Sequence, residues 1–141
     1  MKTDIELETL LRQKAIQMTE QAKSTMDVPP GIIELTDATF KPTLRESAIP
    51  VLIDLWAPWC MPCKAVAPIM AELEEEYRGR MRFAKLNTDE NQQTAMQLRV
   101  MSIPTFLIFK DGKLAARFIG AMPKAKFKAQ IDKVLKNNQD S

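Results

Sequence analysis

Hydrophobic and polar positions along this chain change period several times, and each change marks an element. Leu7, Leu10, Leu11, Ala15, Met18, Ala22 and Met26 fall on one helical stripe, with charged and amide side chains elsewhere. Thr3-Asp4-Ile5-Glu6 has the capping-box form, Thr3 capping and Glu6 reaching back. Glu8 and Arg12 stand as an i,i+4 pair on the same helix. Val28-Pro29-Pro30-Gly31 ends it and makes a short, stiff connector. The chain therefore divides into an amphipathic helical extension with its connector, residues 1–31, and a domain over residues 32–141.

Beyond the connector, strand and helix patterns alternate. Ile32–Leu35 reads as a short strand, and Asp37–Glu46 as a weaker helical segment broken at Pro42. Val51–Trp56 is almost continuously apolar, the pattern of a central strand buried on both faces. Pro62–Tyr77 is a helix with Pro68 as its expected kink. Met81–Asn87 is a strand and Glu90–Val100 a helix. Thr105–Lys110 and Leu114–Ile119 flank Asp111-Gly112-Lys113, a hairpin signal. Lys124–Lys136 closes as an amphipathic helix. Five strands in the order βαβαβαββα predict an α/β domain with a mixed sheet.

Composition narrows what such a domain does. At 141 residues, 45% hydrophobic and 27% charged, the chain is an ordinary globular protein. A net charge of +2 argues against nucleic acid as a partner. No histidine is present, which removes Ser–His and Cys–His catalysis and every histidine-containing metal site. Two cysteines cannot fill a four-ligand zinc site within one chain, although a dimer sharing a Cys60/Cys63 metal site is a rival reading. No stretch approaches the roughly 18 apolar residues of a membrane span, and the N-terminal segment carries Asp4, Glu6 and Glu8 in place of an apolar signal core. We expect a cytoplasmic protein with no membrane partner. There a cysteine pair reads as catalytic or redox-active.

That pair is Cys60-Met61-Pro62-Cys63, between the most apolar strand and a helix. Thiols three residues apart at a helix start are close enough to bridge. A bridge closing so short a loop staples little of the chain, so reversible redox chemistry explains it better than stability does. Asp54, inside the apolar run Val51–Trp56, is the second candidate. Burying a carboxylate unpaired costs several kcal/mol, so its acidity should fall toward neutrality and equip it to accept a proton.

With Asp54-Leu55-Trp56-Ala57, Trp59-Cys60, Pro62-Cys63-Lys64, Pro68, Lys85-Leu86-Asn87, Ile103-Pro104-Thr105, Asp111-Gly112 and Gly120 in place, residues 32–135 resemble the thioredoxin family. The segments 56–60 and 120–124 are most similar to its bacterial thioredoxin 2 subgroup, without that subgroup's N-terminal zinc module, because no cysteine precedes Cys60. The resemblance implies the thioredoxin fold, a five-stranded mixed sheet flanked by helices, here with an extra N-terminal helix. It implies a protein-disulfide reductase in which Cys60 attacks, Cys63 resolves the mixed disulfide, and Asp54 takes a proton beside its electrostatic partner Lys85. Cys63 should be the more buried thiol. Met61, where the family usually has Gly, and Pro62 would tune the redox couple. Trp59, Ile103, Pro104 (cis in the family) and Gly120 would bind substrate, and Met101 and Met122 would join Met61 on an adaptable rim. No metal or organic cofactor is expected beyond the Cys60–Cys63 disulfide itself. The implied partners are protein disulfides and a flavin-dependent thioredoxin reductase. The N-terminal helix is expected to pack on its own domain or to mediate a dimer.

Overall fold

A mixed sheet whose central strand leads directly into the cysteine pair organises the domain. The computed structural model describes residues 30–139; the amphipathic helix expected before Asp27 lies outside them. Among the described residues the strands are β1 (Ile33–Leu35), β2 (Val51–Trp56), β3 (Arg82–Asn87), β4 (Thr105–Lys110) and β5 (Lys113–Ile119). The helices are α1 (Phe40–Glu46), α2 (Met61–Tyr77), α3 (Gln92–Gln97) and α4 (Lys124–Gln139). They form one sheet in the order β1-β3-β2-β4-β5, with β1 and β2 parallel to β3, and β4 antiparallel to β2 and β5.

The near-continuous apolar run of β2 is buried on both faces, as its composition requires. Alternation sends Leu52 to a core formed with Val66, Met70 and Leu73 of α2 and Phe127 and Ile131 of α4. It sends Val51, Ile53 and Leu55 to a second core with Phe40 and Leu44 of α1. In the first core Phe106 meets Phe127 edge-on at 4.7 Å between ring centres. Asp54 shares the Leu52 face and so points toward the α2 side.

Several element ends shift by one to three residues from the sequence pattern, and three departures from it have identifiable reasons. Pro42 does not break α1, because it falls in the first turn, where its missing N–H has no partner to lose. Asp37 lies outside α1: its carboxylate accepts from the Thr94 N–H at 2.8 Å and the Thr94 hydroxyl at 2.6 Å, tying the β1–α1 turn to α3. Helix α3 stops at Gln97 because Arg99 turns into the left-handed region (φ 55°). The expected hairpin is present. Asp111 (φ 55°) and Gly112 (φ 76°) form a two-residue loop with positive φ at both positions, as a type I′ turn demands.

Candidate active site

The two cysteines sit where β2 hands over to α2. After Trp56 the chain turns through Ala57-Pro58-Trp59, closed by a hydrogen bond from the Cys60 N–H to the Ala57 carbonyl at 3.1 Å. Cys60 is the N-cap of α2, with an extended backbone (φ −88°, ψ 110°), and Pro62 lies in the first turn, where no N–H is needed. Cys60 and Cys63 are joined as a disulfide, their Cα atoms 5.3 Å apart. The Cys63 N–H donates to the Cys60 sulfur at 3.3 Å, so a free backbone donor of the helix start already points at that sulfur. This arrangement favours negative charge on Cys60 once the bridge is open. The expected difference in burial is not seen: Cys60 is 4% and Cys63 3% exposed. Position on the helix separates them instead, Cys60 at its mouth and Cys63 inside its first turn.

Asp54 is buried on β2, two residues before its end at Trp56, and its Oδ1 has no hydrogen-bond partner. Burial pushes its carboxyl up to about 7, the nearby Lys85 charge pulling the other way. The parallel register with β3 sets Asp54 directly beside Lys85, and the antiparallel register with β4 sets it beside Phe106. A small cavity of about 150 Å³ opens on the carboxyl, lined also by Ile32, Ala67, Met70, Phe83, Ala84 and Lys85. Ala67 is one turn beyond Cys63 on α2, so the cavity lies under the helical stripe that carries the inner cysteine. Lys85 lies beside Asp54 and its charge opposes the effect of burial there, without a direct ion pair between the two. Its ammonium pairs with Glu34 Oε1 at 3.5 Å and lies over the Trp56 ring at 5.3 Å.

The Ile103–Pro104 peptide is cis, and it stands at the start of β4 beside the cysteines. Ile103 packs with Ala57, Cys60 and Cys63. The Pro104 carbonyl accepts from the Gly120 N–H at 2.8 Å, and Gly120 adopts φ 94°, a conformation in which a side chain would be strained. The strand pairing explains this convergence: Thr105 faces Leu55 on one side and Ile119 on the other, so Ile103-Pro104, Cys60 and Gly120 share one end of the sheet. Trp59, Met61 and Met101 surround that end at 67%, 70% and 92% exposure. Trp59 and Met101 line a groove of about 390 Å³ with Ile103, Ser102 and Val100. Met122 is only half-buried, packed against the core shared by α2 and α4.

Three supporting residues escaped the sequence reading. Asp89 accepts from the Trp59 indole N–H at 3.0 Å. Arg117 donates to the Leu98 and Arg99 carbonyls at 2.8 and 2.7 Å, fixing the segment that leads to Ile103. Glu34 holds Lys85. Their signal is tertiary, and the parallel pairing of β2 with β3 is what brings Asp89 beside Trp59. Among the described residues no group of three or more acidic, histidine or cysteine side chains could hold a metal ion, and no helix is long and apolar enough to cross a membrane.

Comparison with known proteins agrees with this geometry. The family model described as Thioredoxin matches residues 31–133. Over 101 residues, 72% of this chain and 94% of the relative, the sequence is 48% identical to Thioredoxin 1 of Synechococcus elongatus. It is 45% identical to the thioredoxin of a Synechocystis species over 72% of the chain and 95% of the relative. It is also 45% identical to the chloroplastic Thioredoxin M-type of Chlamydomonas reinhardtii, over 72% of each chain.

Proposed function

The chain belongs to the thioredoxin family and is a thiol–disulfide oxidoreductase of the protein-disulfide reductase type, and within that activity we propose that Cys60 attacks, Cys63 resolves and Asp54 moves the proton. The observation that carries this assignment is the disulfide at the mouth of α2, with Cys60 as the N-cap and the Cys63 N–H aimed at its sulfur.

In the reduced protein the Cys60 thiolate attacks one sulfur of a substrate disulfide. A mixed disulfide forms and the other substrate sulfur leaves as a thiolate. Cys63 then gives its proton to Asp54 and attacks the Cys60 sulfur. The Cys60–Cys63 bridge forms, the second substrate thiolate leaves, and two electrons have passed from protein to substrate. A buried carboxyl whose proton is held near neutrality is suited to this exchange at physiological pH. The exposed Trp59, Met61 and Met101, with the groove beside Ile103, give an extended substrate segment an apolar surface. The backbone beside Pro104 offers it a strand edge to pair with.

The same reading makes the disulfide the only redox group required, with no metal or organic cofactor, and a flavin-dependent thioredoxin reductase the donor that returns it to the dithiol. It puts the reaction in the cytoplasm, a compartment where cysteine pairs serve redox chemistry rather than structure. An insulin-type reduction assay, run beside a redox titration of the Cys60–Cys63 couple, tests it. The proposal expects insulin precipitation and a potential on the reducing side of the glutathione couple. An oxidising potential with no insulin reduction overturns it.

A further inference from the structure

Lys85 stands between two carboxyl side chains. On β3 its position pairs with Asp54 of β2 on one side and Glu34 of β1 on the other. Parallel partners point to the same face, so all three side chains leave one face of the sheet in a row. The ammonium is engaged on the outer side: Glu34 Oε1 is 3.5 Å away and the Trp56 ring 5.3 Å away. Lys85 also lines both the cavity at Asp54 and the outer groove containing Glu34, Trp56, Asn87 and Glu90. It is the wall between them. Among the described residues no ion pair joins Lys85 to Asp54, and Asp54 Oδ1 is left without a donor.

We propose that Glu34 is a positioning residue for the proton step: its carboxylate holds the Lys85 ammonium at the outer groove and so keeps the buried Asp54 carboxyl without a direct ion-pair partner. The proposal rests on Asp54 being the proton acceptor. If Lys85 swung inward, its charge would favour the Asp54 carboxylate and draw its protonation down from neutrality, away from the working pH. The other elements around Asp54 supply little to compete. Helix α2 faces the cavity with Ala67 and Met70 and carries Cys63 one turn earlier, β4 contributes Phe106, and β3 adds Phe83. Glu90 is the remaining charge, on the outer groove.

Glu34 is well suited to a test, because it is 72% exposed and its replacement removes no core packing. The midpoint of Asp54 is read by carboxyl carbon NMR on the full-length oxidised protein, for the wild type, Glu34→Gln, Lys85→Met and the double variant. Glu34→Gln should lower the midpoint by roughly half a pH unit or more. In the Lys85→Met background the same change should move it by less than half as much, because the effect passes through Lys85. The pH profile for resolution of a Cys60 mixed disulfide should move with the midpoint. An unmoved midpoint in Glu34→Gln, or an equal movement with and without Lys85, overturns the positioning role and leaves the Asp54 mechanism standing. A midpoint that moves while the kinetic profile does not overturns the Asp54 mechanism itself, and the role of Glu34 in the step falls with it.

Discussion

Replacing Asp54 with Asn should make this protein more stable at alkaline pH. Asparagine keeps the size of the side chain and one carbonyl oxygen while exchanging the titratable carboxyl for a neutral amide, so the pH-dependent part of the difference is the ionisation of Asp54. In the folded protein burial holds the carboxyl protonated up to about 7, against an ordinary 3.8 in the unfolded chain. Below that lower value both states carry the proton and the group has no effect on stability. As pH rises from about 4 to about 7 the unfolded chain releases its proton while the folded protein does not, and wild-type stability declines. Above that range the decline is complete. At about 1.4 kcal/mol per pH unit the difference amounts to about 4 kcal/mol. Water entering the cavity beside the carboxylate reduces this, and we expect about 2–4 kcal/mol. Guanidinium unfolding of the oxidised proteins, followed by tryptophan fluorescence, measures it. The variant should lead by that margin near pH ~9 and by less than ~1 kcal/mol near pH ~4. A variant no more stable than wild type at the higher pH, or equally favoured at both, refutes the argument.

Two further predictions concern the reaction. Asp54→Asn should slow release of the mixed disulfide by Cys63 at least ~10-fold while leaving the first attack by Cys60 nearly unchanged, since only the second step needs a nearby proton acceptor; rapid-mixing measurements separate the two, and equal slowing of both counts against the assignment. Replacing Met61 and Met101 with alanine should reorder a panel of protein disulfides. The kcat/KM should fall up to about tenfold for those that bury most apolar surface at the rim, and an unchanged ranking dismisses that role.

Much of this was legible in the sequence because the strongest signals were local. The bounds of β2 are plain in the sequence because a strand buried on both faces leaves an almost unbroken apolar run, and the Asp111-Gly112 turn announces the hairpin through its backbone demands. Asp54 stood out for the same reason, as the one charge inside that run. Helix ends were less legible where a side chain was recruited elsewhere. Asp37 resembles a helix start but serves Thr94, fifty-seven residues away in sequence. Pro42 resembles a breaker until its place in the first turn is known. At the site, Cys60, Cys63, Asp54, Lys85, Ile103, Pro104 and Gly120 all fall at or near one end of the sheet. What the linear pattern could not reveal was who holds whom. Whether Lys85 turns to Asp54 or to Glu34 depends on β1 lying beside β3, a neighbour distant in the chain. The Asp89 bond to Trp59 depends likewise on the β2–β3 pairing.

The division of labour between the two cysteines is the core of the mechanism, and trapping tests it most directly. Reduced Cys63→Ser and Cys60→Ser proteins are mixed with a protein disulfide and examined by intact mass under non-reducing conditions. Cys63→Ser should accumulate a reductant-sensitive conjugate through Cys60, because the resolving thiol is gone. Cys60→Ser should form little or none, its remaining thiol lying inside the first turn of α2. Conjugation through Cys63 in preference to Cys60, or none with either variant, would contradict the account.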